Sequence, residues 1–139
     1  MNFEQWIFIS DNNMDITPIS KKAFVTLAAC EKTKNSFAIT VDPKGGSLFH
    51  RPELKFVWAF KIDKEKAHRE RFDANHVKGM ITFDDNYPGC PYCQTKLVWI
   101  CSCGTVVCWH GQKIATCPNC KWSGELEYAD SFSLSGGGL

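Results

Sequence analysis

The stretch from Cys90 to Cys120 decides the fold, and it reads CPYCQTKLVWICSCGTVVCWHGQKIATCPNC. Seven of the eight cysteines of the chain lie in it, together with one histidine. It begins and ends on a C-P-x-C pair. Such a pair holds zinc well, because its two thiolates point at one ion while backbone N–H groups of the turn bond to the sulfurs. The two matched pairs therefore predict a zinc-binding module.

The length of the chain and its expected cellular compartment indicate whether the cysteines bind metal or form disulfides. A chain of 139 residues can bury a hydrophobic core without covalent staples. No segment approaches the roughly 18 apolar residues that a membrane span needs, and the N-terminus MNFEQWIFISDNN lacks a basic lead. We therefore expect a soluble, cytoplasmic protein with no membrane span. Disulfides are rare in that reducing compartment, so clustered cysteines there favour metal binding.

The stretch offers eight ligands, and structural zinc takes four, so we expect two zinc ions. Residues 96–100 and 105–109 are typical of two strands. A two-residue turn at Cys103-Gly104 would project Cys101 and Cys108 from one face. The favoured pairing places Cys90, Cys93, Cys117 and Cys120 in one site, and Cys101, Cys103, Cys108 and His110 in the other.

Other arrangements of the cysteines stay open. One is an interleaved arrangement, in which the first doublet of the series, Cys90 and Cys93, shares a metal ion with the third, Cys108 and His110. An iron–sulfur centre is compatible with the spacing, although the terminal pairs suit a zinc ribbon better. A thioredoxin-like C-x-x-C should open a helix, and neither pair is followed by a helical pattern.

The N-terminal part of the chain carries signals for a strand and a helix. Residues 5–9 form a candidate strand. Thr17-Pro18 can cap and open a helix in which apolar residues up to Ala28 share one face. Cys30 at the far end of that helix is interpreted as a small buried apolar residue rather than a nucleophile or a ligand.

The middle of the chain is rich in β patterns. Residues 37–41 alternate, and Leu54, Phe56, Trp58, Phe60 and Ile62 alternate over nine positions, which predicts two half-buried strands. Residues 64–72 predict a solvated helix with Asp63 as its N-cap, and residues 77–83 predict a further strand.

These elements predict an α+β fold that is mostly β. We expect a small antiparallel sheet with one or two short helices, followed by a zinc-ribbon-like module. The predicted boundaries are residues 1–86 for the β-rich scaffold, 87–128 for the zinc-binding module and 129–139 for a flexible tail. The tail prediction rests on the serine-rich and glycine-rich sequence SFSLSGGGL.

Charge narrows the class of partner. Residues 1–89 hold 13 basic and 12 acidic side chains, and residues 90–139 hold three of each. A nucleic-acid binder needs clustered lysine and arginine to neutralise phosphates, so this balance disfavours nucleic acid. Seven thiolates with two divalent ions would shift the formal charge from +1 to about −2.

The runs FVWAFKID, AHRERFD, VKGMITFDDNYPGCPYC, CSCG, VCWHG and TCPNCKWSGEL resemble the C-terminal metal-binding domain of TerY-type proteins. The resemblance covers about residues 35–126. It implies a zinc-ribbon-like domain from bacterial tellurite-resistance and stress-response systems. In that family the domain usually follows a von Willebrand factor A domain, and the proteins are associated with a protein kinase and a PP2C-like phosphatase. The chain has no D-x-S-x-S motif, so the resemblance concerns a stand-alone metal module.

The predicted function is a non-enzymatic zinc-binding adaptor that binds a protein partner in a stress-response or defence signalling complex. The resemblance implies a von Willebrand A-domain protein or a protein kinase as the partner. Catalytic zinc keeps an open coordination position, whereas this stretch supplies complete sets of four ligands, so we predict no enzymatic activity. The alternative is a nucleic-acid-binding zinc ribbon.

Overall fold

A computed structural model describes residues 22–45, 51–72, 75–128 and 132–138 of the chain. Within these ranges the fold is mostly β, as predicted, with nine strands and one short helix, α1 (Lys64–Arg69). The strands are β1 (Phe24–Ala29), β2 (Ser36–Lys44), β3 (Glu53–Lys61), β4 (Asn75–Phe83), β5 (Val98–Ile100), β6 (Val106–Cys108), β7 (Ile114–Thr116), β8 (Ser123–Glu125) and β9 (Phe132–Gly138). The candidate strand at residues 5–9 and the start of the candidate helix lie outside the described residues.

Seven of these strands form the main sheet, in the order β2-β3-β4-β9-β1-β6-β5. The sheet closes on itself, because β1 also pairs with β2 along its whole length. The other edge of β1 is divided: its first residues pair with β9 and its last residues pair with β6. The pairs β3–β4 and β1–β6 are parallel, so the sheet is mixed rather than purely antiparallel.

The closed part of the sheet encloses the main hydrophobic core. Large side chains from β2, β3 and β9 are fully buried there, namely Phe37, Ile39, Val41, Leu54, Phe56 and Leu134. The same cluster continues into three buried cysteines, Cys30, Cys90 and Cys108. The core therefore packs directly against the cysteine-rich region.

The predicted helix ending near Ala28 is wrong for the part that the structure describes, since Phe24–Ala29 forms strand β1. All six residues of β1 are buried. A strand paired on both edges and covered on both faces has a continuous apolar sequence, which periodicity cannot separate from a buried helix. The burial of β1 explains the wrong assignment.

Strand β3 confirms the predicted strand but not its predicted single apolar face. Thr40 pairs with Trp58 while the next residue, Val41, pairs with Phe56. Val57 is thus an extra residue, and an extra residue reverses the alternation beyond it. Phe56 is fully buried, whereas Trp58 is 54% exposed.

The segment predicted as a flexible tail contains strand β9, which pairs with β4 and with β1. Leu134 in its middle is fully buried. Gly136 lies so close to Phe24 that a Cβ there would approach the Phe24 ring to 2.5 Å. The glycines that suggested mobility allow close packing instead.

Helix α1 and the hairpin β5–β6 are confirmed as elements. The Asp63 carboxylate caps α1 by accepting a hydrogen bond from the Lys66 N–H at 2.7 Å. Among the residues that the structure describes, no helix combines the length and the apolar character that crossing a membrane requires.

Candidate metal centres

The cysteines converge in two groups of four. Within each group the sulfur atoms all lie within 4.8 Å of one another. The first site consists of Cys30, Cys90, Cys93 and Cys108, and the second site consists of Cys101, Cys103, Cys117 and Cys120. Each group is a complete donor set for a tetrahedral ion that prefers thiolates.

The sulfur separations fit such an ion. A Zn–S bond of about 2.3 Å in a tetrahedron places neighbouring sulfurs about 3.8 Å apart. In the first site the sulfurs of Cys93 and Cys108 are 3.6 Å apart. In the second site the distance is 3.4 Å between Cys101 and Cys120 and 3.9 Å between Cys103 and Cys117. The residues present therefore fit a four-thiolate metal centre.

Three of the cysteines open the same backbone turn. Each donates its N–H to the carbonyl five residues on and accepts from the N–H four residues on, at Cys30, Cys90 and Cys117. The fourth residue after each has a positive φ: Lys34 at 64°, Gln94 at 63° and Lys121 at 70°. Such a turn directs its sulfur and its backbone N–H groups toward one point, as a metal knuckle requires.

The hairpin between the two C-P-x-C pairs sends its cysteines to opposite faces. Val98 pairs with Cys108 and Ile100 with Val106, so the connection holds three residues, Ser102 to Gly104, rather than two. A one-residue shift in register moves a side chain to the other face. Cys108 therefore packs with the main core and Cys101 with a second cluster around Trp99.

This register corrects the favoured sequence-based pairing. Cys90 and Cys93 meet Cys108 rather than the Cys117 pair, and Cys101 and Cys103 meet Cys117 and Cys120. The sulfurs follow the interleaved order that the sequence left open. The assumed length of the turn explains why Cys101 and Cys108 were placed in one site, whereas the place of Cys30 has a separate cause.

Cys30 completes the first site, although the sequence places it 60 residues before the next cysteine. Ala28 pairs with Val106 and Ala29 with Val107 in the parallel β1–β6 ladder, which brings Cys30 beside Cys108. The interpretation of Cys30 as a buried apolar residue was right about its burial and missed its neighbours. The available signal was its turn, Cys-Glu-Lys-Thr-Lys, in which Thr33 stands where the other knuckles have a second cysteine.

His110 lies beside the first site rather than among its four sulfurs. Its Nε2 is 3.3 Å from the Cys93 sulfur, and its Nδ1 is 2.9 Å from a carboxylate oxygen of Glu31. The Gln112 amide donates to the same carboxylate and accepts from the His110 N–H. Carboxylate–histidine pairs of this kind orient the imidazole toward a metal centre.

The other two histidines that the structure describes belong to neither group of four cysteines. His76 Nε2 lies 3.4 Å from the Cys103 carbonyl, and His68 is exposed on α1. His50 lies outside the described residues.

Burial and hydrogen bonding divide the thiols of the first site. Burial raises the pKa of the Cys90 thiol to about 11 and that of Cys108 still further. Burial acts the same way on Cys30, but hydrogen bonds from Thr33 and Lys32 outweigh it and lower the pKa to about 7. The site thus contains one readily ionised thiol, Cys30, beside two that hold their protons, Cys90 and Cys108.

The second site has the same division. Burial raises the pKa of Cys101 to about 12 and also raises that of Cys117. Burial opposes ionisation of Cys103, yet hydrogen bonds from Thr105 lower its pKa to about 7. The Asn119 amide also donates to the Thr105 hydroxyl, whose oxygen lies 3.2 Å from the Cys103 sulfur. Four converging thiolates repel one another, so only a bound cation allows all of them to ionise.

The two sites differ in exposure. Cys30, Cys90 and Cys108 are buried, whereas Cys120 of the second site is exposed. Trp99 packs in one cluster with Cys101 and Cys117 of the second site, and the ring centroid of Trp122 lies 6.0 Å from that of Trp99.

A family model, the TerY-C metal binding domain, matches residues 20–137. The chain belongs to this family. The match includes Cys30 and strand β9, so the TerY-C domain extends beyond the cysteine-rich stretch to most of the closed sheet. Neither the curated proteins nor the solved structures gave a match. Family and geometry agree on a metal-binding function.

Proposed function

We propose that this TerY-C domain is a non-enzymatic adaptor that binds two zinc ions and uses the metal-stabilised surface to bind a protein partner. The observation that carries the proposal is the convergence of eight sulfurs into two complete sets of four. Zinc suits them because it accepts four thiolates in a tetrahedron and has no redox chemistry of its own.

The complete donor sets also support a structural rather than a catalytic role. A catalytic zinc has three protein ligands and leaves one position for water or substrate. Here each ion would have four sulfurs. A structural zinc contributes to folding directly, at roughly 10 kcal/mol of binding free energy.

Charge supports a protein partner over nucleic acid. Eight thiolates and two divalent ions together contribute minus four, which takes the formal charge from +1 to about −3. A chain with that balance attracts the phosphate backbone poorly. Membership in the TerY-C family supports the partner that the resemblance implies, a von Willebrand A-domain protein or a protein kinase of a bacterial stress-response complex.

The metal is tested by elemental analysis of the full chain purified without added metal. We expect two zinc ions per chain and no reactive thiols until a chelator is added. Chelation should then change the near-UV circular dichroism of the tryptophans, because Trp99 packs with Cys101 and Cys117 of the second site and contacts the Trp122 ring. An unchanged spectrum after verified zinc removal would exclude a structural role for the metal.

The adaptor role is tested by affinity purification from the native host, with the zinc-loaded chain as bait. We expect a von Willebrand A-domain protein or a kinase among the proteins retained. A bait with Cys101 and Cys117 replaced by serine is the control and should retain neither. Recovery of nucleic acid in place of these proteins, released by moderate salt, would favour the alternative zinc ribbon.

A further inference from the structure

An open cleft of about 890 Å³ lies beside the first metal site. Its walls come from the turn after β1, the end of β3, helix α1 and the Cys90 turn. The lining residues are Lys34, Asn35, Ser36, Phe60, Lys61, Ile62, Asp63, Lys64, Lys66, Glu70, Phe72 and Tyr92.

The net charge of the residues that line the cleft is positive. Four lysines line it, against the two carboxylates of Asp63 and Glu70. Asp63 is already engaged as the cap of α1. In the part of the chain that the structure describes, none of the four lysines forms an ion pair with a carboxylate.

The floor of the cleft is apolar and partly fixed. Phe60, Ile62 and Phe72 are half-buried there. The Tyr92 hydroxyl donates to the Ser36 carbonyl at 3.0 Å, which holds the ring as a wall, and the Lys61 ammonium lies 5.1 Å from the centroid of that ring. The cleft therefore combines unpaired ammonium groups with aromatic surface.

We propose that this cleft binds an acidic peptide segment of a protein partner, with carboxylates at the lysines and an apolar side chain on the aromatic floor. The proposal rests on the adaptor function and specifies the chemistry of its partner. A small-molecule site buries most of its ligand, whereas most of the lining residues here are exposed, which suits a segment that crosses the surface. Screening over about 8 Å makes these nearby lysines matter more than the net charge of the chain.

The cleft is also joined to the first metal site. Lys34 is the positive-φ residue of the Cys30 turn, and Tyr92 lies between Cys90 and Cys93. A metal ion that holds these two turns together therefore also holds two walls of the cleft. Metal loading of the first site should pre-organise peptide binding.

The test uses the zinc-loaded full chain and a short fluorescein-labelled peptide in which glutamate alternates with leucine. Fluorescence anisotropy should show saturable binding that weakens with added salt. The same peptide with glutamine in place of glutamate should bind at least about tenfold more weakly. No binding of the glutamate peptide up to about 1 mM would overturn the proposal.

The site is located with matched charge reversals. Replacing Lys61 and Lys64 together by glutamate (K61E, K64E) should raise the Kd about tenfold. The control replaces Lys78 and Lys96, two exposed lysines outside the cleft, by glutamate (K78E, K96E). It should change the Kd by less than about twofold. Equal weakening by both pairs, or tighter binding of a single-stranded oligonucleotide than of the peptide, would contradict the assignment.

Zinc content and circular dichroism of each variant separate this proposal from the adaptor function. None of the four substituted lysines is a metal ligand, so zinc content should stay at the wild-type value. A chain that holds its zinc but binds no peptide disproves the cleft alone. A chain that holds no zinc disproves the proposed function. In that case the effect of K61E, K64E on peptide binding still shows whether the cleft is the peptide-binding site.

Discussion

Cys30 is a residue of the first site that lies far in sequence from the other three. Its sulfur joins those of Cys90, Cys93 and Cys108 because the parallel β1–β6 ladder places the end of β1 beside Cys108. A pattern of cysteine spacing reports ligands that are close in sequence. Cysteine spacing cannot identify a ligand that strand pairing brings to the site from a distant part of the sequence.

Replacing Cys30 with serine should lower the zinc content from two ions per chain to about one, because a hydroxyl is a poor substitute for a thiolate on zinc. Elemental analysis after gel filtration measures the content. The control is Thr33→Ala, which removes a hydrogen bond to the Cys30 sulfur but keeps the thiol, and should retain two ions. Retention of two tightly held ions by the serine variant would show that Cys30 is not a ligand.

His110 is expected to position a ligand rather than to act as one. Its Nε2 lies 3.3 Å from the Cys93 sulfur, and Glu31 holds the ring from the other side. His110→Ala should keep two metal ions, while affinity at the first site falls about tenfold, the lower end of effects on residues that support ligands. Zinc transfer to a competing chelator measures this change.

A cobalt-substituted sample provides the independent readout for His110. The visible spectrum should remain that of all-sulfur sites in His110→Ala, and His68→Ala on α1 is the control outside both sites. A spectrum that shows the loss of a nitrogen ligand would instead make His110 a direct ligand, as the sequence predicts.

At the scale of elements, the turn between β5 and β6 determines which cysteines meet. Gly104 in this turn has a φ of +94°, and a Cβ there would lie 2.7 Å from the Ser135 nitrogen of β9. The Ser135 N–H also donates to the Gly104 carbonyl at 2.9 Å. The turn is thus both conformationally special and docked against β9.

Gly104→Ala should lower the free energy of unfolding of the zinc-loaded chain by about 3 kcal/mol, through backbone strain and a clash with backbone atoms. Gly111→Ala is the matched control, since Gly111 has a φ of +88° and open space around it. It should cost only about 1 kcal/mol. Urea unfolding measures the free energy of unfolding of both variants. Equal decreases would show that the contact between Gly104 and β9 does not contribute to stability.

Strand β9 tests whether the C-terminal segment is structural. Leu134→Ala should lower the free energy of unfolding by about 2–5 kcal/mol, because it leaves a cavity in the closed sheet. The control is Leu97→Ala at a side chain that is 54% exposed, which should change stability by less than about 0.5 kcal/mol. A neutral result for Leu134→Ala would support the flexible tail that the composition predicts.

Features that depend on neighbouring residues were predictable from the sequence, whereas features that depend on pairing between distant segments were not. The cap at Asp63, the existence of strand β3 and the turns at the two C-P-x-C pairs are local, and the structure confirms them. The hairpin register depended on one residue of turn length, and β1 depended on burial from both faces. Pairing between distant strands leaves no local periodicity to detect.

At the scale of the whole molecule, each site links elements that are far apart in the chain. The first site joins the end of β1 to β6 and to the Cys90 turn. The second joins the β5–β6 turn to the Cys117 turn that leads into β8. The β7–β8 sheet has no backbone pairing with the main sheet in the described residues, so the second site and the cluster around Trp99 hold it there.

Metal should therefore reverse the pH dependence of stability. In the metal-free chain, burial raises the pKa of Cys90 to about 11 and of Cys101 to about 12, and also raises the pKa of Cys108 and Cys117. Unfolded thiols titrate near 8.5, so the folded chain holds these protons more tightly. Their contribution is complete below about pH 8.5 and is lost as the pH rises toward 12.

Cys30 and Cys103, whose pKa values are lowered to about 7, act in the opposite sense. Their contribution to stability grows as the pH rises from about 7 to 8.5 and stays constant above that pH. The metal-free chain should thus be most stable near pH 8.5 and weaken above it. In the zinc-loaded chain protons compete with the metal for thiolates, so stability should fall as the pH drops below about 6 and persist in alkali. Urea unfolding at about pH 5, 8 and 11, with zinc or with chelator, measures both curves, and parallel curves would disprove linkage of the thiols to a metal.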